Sequence, residues 1–127
     1  MPEKVVRLNT ADGTPQVEII IGQAQWGSYD FYLWDHDGLN ATKIGSGLNV
    51  DQIPDNFPIA LPIAQLNGQL LSWEVSIASF TGKEGELYSV TVKITQNNAV
   101  VPGGEVVNAG SLKGAAFATD FVRILVP

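Results

Sequence analysis

Trp34-Asp35-His36-Asp37-Gly38-Leu39-Asn40 is the stretch whose residue types come nearest to a chemical site. Oxygen donors at Asp35, Asp37 and Asn40, with a glycine for the sharp bend, form half of a calcium-loop pattern, since hard divalent cations take oxygen ligands. The further oxygen before the glycine and the later bidentate carboxylate are both missing at the required spacing. Asp51 or Asp55 would have to fold alongside to complete a calcium site. The preferred expectation is therefore no metal, and a hairpin turn in which Asp37-Gly38 supplies positive φ and local hydrogen bonds.

His36 is the only histidine, so any acid–base or nucleophile-activating imidazole must be this one. Its flanking aspartates do not make a triad, because neighbours along a strand point to opposite faces. No nucleophile elbow nominates a serine, and one histidine among carboxylates is a poor zinc set. The absence of cysteine removes disulfides, thiolate metal sites and thiol nucleophiles together. An exposed loop histidine is expected.

Carboxylates offer one catalytic alternative, a hydrolase working with a pair of them. Glu18 and Glu74 lie mid-strand on polar faces and would be neighbours if their strands paired. Like charges directly opposite repel, so each is expected to face water separately. Gly45-Ser46-Gly47 lacks the helix and lysine of a phosphate cradle. The chain is accordingly expected not to be an enzyme.

Trp26, Tyr29, Tyr32 and Trp34 gather aromatic rings into one stretch. Rings exposed on a sheet face stack on sugars or anchor a protein partner. Trp26, Tyr32 and Trp34 share a parity in a regular strand, but a bulge near Gly22 or Gly27 would reset it. The sandwich core is the expected home of these rings, with a binding surface as the alternative.

The elements that position these residues are strands. Val17, Ile19 and Ile21 alternate with polar positions, as do Tyr29, Phe31 and Leu33, then Leu71, Trp73, Val75 and Ile77. Tyr88, Val90, Val92 and Ile94 follow the same period, and Val122, Ile124 and Val126 close the chain with it. Asn67-Gly68 is expected to join two strands as a tight hairpin, with Ile63-Ala64-Gln65-Leu66 as the first of them. Asn97-Asn98 and Pro102-Gly103-Gly104 mark further breaks. Between Asn49 and Pro62, three prolines argue against a strand and for an ordered connection with a helical turn near Val50–Ile53. The expected fold is an all-β antiparallel sandwich, Greek-key or jelly-roll-like, of roughly eight to ten short strands; a partly closed barrel is second. Its core is expected to hold Ile19, Ile21, Phe31, Leu33, Trp73, Val75, Val90, Val92 and Ile124.

At 127 residues, 45% hydrophobic and 16% charged, the chain suits one domain, 1–127, with a substantial core. Its net charge of −6, with basic residues scattered from Lys4 to Arg123, argues against nucleic acid and anionic membrane surfaces. The apolar runs are too short for a membrane span. The N-terminus has no secretory pattern, which makes the cytoplasm the default location, although leaderless export would leave no trace.

Function is expected to be non-catalytic binding, on the loops around Asp35–Asn40 and Asp51–Asn56, where recognition residues commonly sit on a rigid sandwich. In the preferred version Trp34 and Phe57 anchor a protein partner. In the alternative, lectin-like version Asp35, Asp37 and Asn40 hold calcium or sugar hydroxyls while Trp34 or Trp26 stacks on a ring. Uncharged edges at Ala99-Val100-Val101 and Leu125-Val126 point to a homodimer or other homo-oligomer.

Overall fold

The structure, a computed structural model, describes residues 4–22, 25–35, 37–49, 53–79, 85–113 and 115–127. Nine strands are found among them: β1 Val5–Arg7, β2 Gln16–Gly22, β3 Trp26–Trp34, β4 Ala41–Asn49, β5 Asp55–Pro58, β6 Leu70–Ala78, β7 Leu87–Gln96, β8 Ala99–Ser111 and β9 Ala115–Leu125. They form a five-stranded sheet, in the order β1-β9-β6-β3-β4, and a four-stranded one, β5-β2-β7-β8. The protein is an all-β sandwich, and the two sheets remain separate rather than closing as a barrel.

Period-two patterning sets the inner faces. In β2, Val17, Ile19 and Ile21 are buried; in β6, Leu71, Trp73, Val75 and Ile77; in β7, Val90, Val92 and Ile94. All nine residues expected in the core are inside it, packed with Val6, Ile59, Leu66 and Leu112 in one hydrophobic cluster. Each such side chain contributes about 1.5–3 kcal/mol by leaving water.

Four details depart from the sequence-based expectations. First, β1 runs parallel to β9, with Val6 opposite Ile124, so the sandwich is not purely antiparallel. Second, Ile63–Leu66 is a 3₁₀ helix and Asn67-Gly68 is not a hairpin. Asn67 sits at φ −60°, ψ 124° and Gly68 at φ 83°, a type II turn closed by the Gln69 N–H donating to the Leu66 carbonyl at 3.0 Å. A type I′ hairpin needs positive φ at both central residues. Asn97 and Asn98, at φ 51° and 63°, meet that requirement and join β7 to β8.

Third, Pro102-Gly103-Gly104 bends a strand instead of ending one. Lys93 faces Glu105 and Thr95 faces Val100, so residues 101–104 bow out opposite Ile94. Gly103, at φ 76°, lies so close to the Val5 carbonyl that a Cβ there would collide with it. Fourth, the segment between Asn49 and Pro62, expected to hold no strand, carries β5 at the edge of the four-stranded sheet, where prolines are tolerated. Of the two uncharged segments expected at edges, Leu125 is paired with Arg7 of β1, whereas Ala99-Val100-Val101 lies on the edge strand β8 with Val100 exposed and Val101 buried. The helical turn expected near Val50–Ile53 falls on residues 50–52, which lie outside the described residues.

Candidate functional site: the outer face of the five-stranded sheet

β3 pairs with β6 without interruption, from Trp26 opposite Ala78 to Trp34 opposite Leu70. No bulge resets its parity; the register shift lies on the β4 side, between Phe31 and Tyr32. Phe31 and Leu33 therefore point inward, and Trp26, Tyr32 and Trp34 point outward. This corrects the expectation of core rings. Of the four aromatic residues only Tyr29 turns in. Its hydroxyl donates to Asp55 Oδ2 at 3.0 Å, and burial, together with that carboxylate, pushes its pKa up to about 12.

The outward side chains line up in rows across the strands. Leu48, Ser28, Ser76 and Phe117 form one row, with Trp26, Ala78 and Ala115 beyond it. Lys43, Tyr32, Ser72 and Phe121 form another, with Trp34 and Leu70 beyond that. Trp26 is 45% exposed, Phe117 63% and Phe121 47%. Each group borders a shallow hollow, about 820 Å³ beside Trp26 and Phe117 and about 580 Å³ beside Trp34 and Phe121. Trp34 Nε1 donates to Ser72 Oγ at 2.8 Å, which lays the indole across the neighbouring strand.

A polar row divides the two hollows. Asp30 and Glu74 stand directly opposite one another on β3 and β6, with Ser46 and Thr119 outside them. Lys43 Nζ lies 3.2 Å from Asp30 and 5.8 Å from the Tyr32 ring centre, and the Asp30 carboxylate raises the Lys43 pKa. The Glu74 carboxylate is exposed and accepts no hydrogen bond among the described residues. Sequence reasoning missed Asp30 because strand pairing is not legible from one strand. Phe117 and Phe121 were legible in principle, having the parity opposite to Ala118, Val122 and Ile124.

The acidic loop is otherwise employed. Asp35 N–H donates to the Asn40 carbonyl at 3.0 Å and Gly38 N–H to the Asp35 carbonyl at 2.8 Å, closing the β3–β4 hairpin. Asp37 Oδ1 accepts from the Leu39 N–H at 3.0 Å, and Asp35 Oδ2 accepts from Asn40 Nδ2 at 2.9 Å. No cluster of three histidine, cysteine or acidic side chains suited to a metal occurs among the described residues. His36 and Asp51 lie outside them. Asp55 does not join the loop, since Tyr29 holds it and Tyr29 to Asp35 spans roughly 20 Å of strand.

Phe57 is corrected as well. Its ring packs edge-to-face on Phe31, with centres 5.1 Å apart, and covers Gly45, where a Cβ would lie 2.7 Å from the ring. It closes the side of the core and is no anchor beside the acidic loop. Glu18 sits on β2 between Asn56 and Lys93, in the other sheet from Glu74, so those two carboxylates are not neighbours.

No helix among the described residues is long and apolar enough to cross a membrane. No protein-family model matches the chain, and no curated protein does. Among solved structures, the chain is similar to the crystal structure of a DUF4425 family protein from Bacteroides ovatus ATCC 8483. The match has a TM-score of 0.51 and 12% sequence identity, and covers 87% of this chain and 94% of that one. At that identity the likeness is one of fold.

Proposed function

We propose that the chain is a non-catalytic binding module that takes a neutral glycan chain on the outer face of its five-stranded sheet, without calcium. The observation that carries this reading is the outward set Trp26, Phe117, Phe121 and Trp34, interleaved with Ser28, Ser72, Ser76 and Glu74. Sugar rings present an apolar C–H face to an aromatic ring and hydroxyls at their rims, and this surface offers both complements. Glu74 has lone pairs to spare for hydroxyl donors, a charge-assisted and therefore stronger bond. From Trp26 to Trp34 the platform runs roughly 26 Å along β3, which suits an extended chain better than a single sugar.

Charge narrows the class further. A net charge of −6 and the exposed Glu74 disfavour uronic or sulfated glycans. The protein-anchor alternative loses Phe57 to the core. Asp30 and Glu74 support binding better than hydrolysis: a glycosidase needs one carboxyl kept protonated by an apolar enclosure, and this pair stands on an open sheet with Lys43 beside it.

A panel of neutral oligosaccharides, screened by thermal melt and then by calorimetry, tests the reading. At least one is expected to bind equally well in calcium and in chelator, and Trp26→Ala is expected to weaken it tenfold or more, about 1.4 kcal/mol. A folded protein that binds none of them overturns the reading, as does an affinity that needs calcium or ignores Trp26→Ala. Release of reducing ends from a bound glycan would overturn its non-catalytic part.

A further inference from the structure

β6 is paired along its whole length on both sides, with β3 and with β9, and neither register shifts. Bulges bend a strand, and the one shift beside β3 lies on β4, so β6 runs without a kink. Its outward residues are Leu70, Ser72, Glu74, Ser76 and Ala78. The rings stand on the strands to either side. Trp26, Tyr32 and Trp34 flank β6 from β3, and Phe117 and Phe121 flank it from β9. β6 is thus the floor of a straight trough with aromatic walls, which two strand spacings set roughly 10 Å apart.

The groups along this trough follow a regular order, in rows about 7 Å apart. Trp26 stands at Ala78, Phe117 at Ser76, Tyr32 and Phe121 at Ser72, and Trp34 at Leu70. The middle row has no ring, since Asp30 and Thr119 flank Glu74 there. The Trp34 indole, bonded to Ser72 Oγ at 2.8 Å, is turned over the floor at its end. No charged residue borders the hollow at Trp26 and Phe117, whereas Glu74 borders the one at Trp34 and Phe121.

We propose that the bound glycan lies along β6, reaches both hollows at once, and is a straight chain whose units are joined through two equatorial bonds; this rests on the glycan-binding function proposed for that face. In such a chain the bonds entering and leaving each pyranose ring are nearly parallel, so the chain extends as a ribbon. One axial bond per unit turns the chain at every step and coils it. A coil touches a straight trough at one or two units, whereas a ribbon meets every row. Each unit advances a ribbon by roughly 5 Å, the span of a six-membered ring with ordinary bond lengths. About five units therefore fill the roughly 26 Å from Ala78 to Leu70. The end units stack on rings, and the central one turns its hydroxyl rim to Glu74. A short chain settles at Trp26 and Phe117, where no carboxylate loses water to it. Two hollows joined by one ligand act as linked sites, so affinity climbs once a chain reaches both.

Calorimetry on the full chain tests this with two sets of two to six units. One set is β-1,4-linked gluco-, manno- and xylo-oligosaccharides, all diequatorial ribbons; the other is α-1,4-linked gluco-oligosaccharides, which coil. At least one β-1,4 hexasaccharide is expected to bind about tenfold tighter than the α-1,4 one, or better, with affinity rising to about five units and then levelling. Phe121→Ala and, independently, Trp34→Ala are expected to weaken that hexasaccharide about tenfold while changing its trisaccharide less than about twofold, in variants that melts show to be folded. An α-1,4 hexasaccharide that binds as tightly as every β-1,4 one overturns the proposal. So do three units that bind as well as six, or a hexasaccharide that ignores both variants. A neutral glycan of another shape that binds in place of every β-1,4 chain overturns it too, yet leaves the glycan-binding module standing. Binding of no glycan at all overturns both.

Discussion

The two open sides of the sandwich are closed by different chemistry. On the β4–β5 side, Phe57 packs on Phe31, Gly45 makes room for the ring, and Tyr29 bonds to Asp55 beneath it. On the β8–β9 side, Lys4 Nζ reaches Asp120 at 2.9 Å, and Asp120 in turn accepts from Asn108 of the opposite sheet. The first is mainly an apolar seal, whose stabilisation scales with buried area and responds little to salt. The second is a polar latch, sensitive to pH and ionic strength, and it leaves Asn108 Oδ1 unsatisfied. A side sealed by rings owes its strength to buried area, whereas a side held by a carboxylate owes it to charge and hydrogen bonds.

The largest effect is expected from opening the seal. Phe57→Ala should cost about 3 kcal/mol, at the low end for a phenylalanine because the ring is only partly buried. A melt would fall by roughly ten degrees or more. An unchanged melt would return Phe57 to the role of a surface anchor. Gly45→Ala attacks the same contact from β4 and should cost about 1–3 kcal/mol, as overpacking does.

Tyr29→Phe comes next, at about 1 kcal/mol for the lost hydrogen bond to Asp55. It also carries a pH signature. The Tyr29 pKa rises from 10.0 to about 12 in the folded chain, so its contribution is complete below pH 10 and is lost as pH climbs toward 12. Alkaline unfolding curves should show that loss in the parent protein and not in Tyr29→Phe.

The latch predicts the opposite limb. Burial alone would raise the Asp120 pKa, but bonds from Lys4, the Phe121 N–H and Asn108 together bring it below 3.8. Its contribution is therefore present above the ordinary carboxylate pKa and lost as pH falls through the lowered value. Asp120→Asn should flatten this acid limb and cost about 0.5–1 kcal/mol near neutrality, since Lys4 is largely exposed. High salt should shrink that cost, while leaving the effect of Phe57→Ala alone. Equal salt dependence on both sides would erase the contrast between seal and latch.

The smallest effect is expected at the loop that belongs to neither side. Asp37→Ala removes one side-chain bond to the Leu39 N–H and should change stability by about 0.5 kcal/mol or less, with or without calcium. A calcium-dependent rise in the parent melt, absent in Asp37→Ala, would restore the loop as a metal site.

Much of the strand layout was legible. Val17-Ile19-Ile21 and Leu71-Trp73-Val75-Ile77 announce their buried faces because side-chain direction in a strand has period two and needs no partner to define it. The site was less legible. Trp26, Tyr32 and Trp34 share a parity in any regular strand, but whether that parity looks in or out depends on the absence of a bulge in β3. Asp37-Gly38 and Asn67-Gly68 are the same kind of turn signal. One closes a hairpin and the other a type II turn, because Pro62 and the buried Leu66 commit the preceding segment to a 3₁₀ helix.

The sequence by itself determined that strands form, which of their residues share a face, and that several of the breaks fall at Gly- and Asn-bearing turns. All of these follow from backbone sterics and local alternation. Only the tertiary structure decided which strands are neighbours. From that came the pairing of Asp30 with Glu74, the outward turn of Trp26 and Trp34, and the burial of Phe57 over Gly45. Each is a relation between residues distant in the chain, decided when two sheets choose a common register, and the energy that sets it is shared across the whole core.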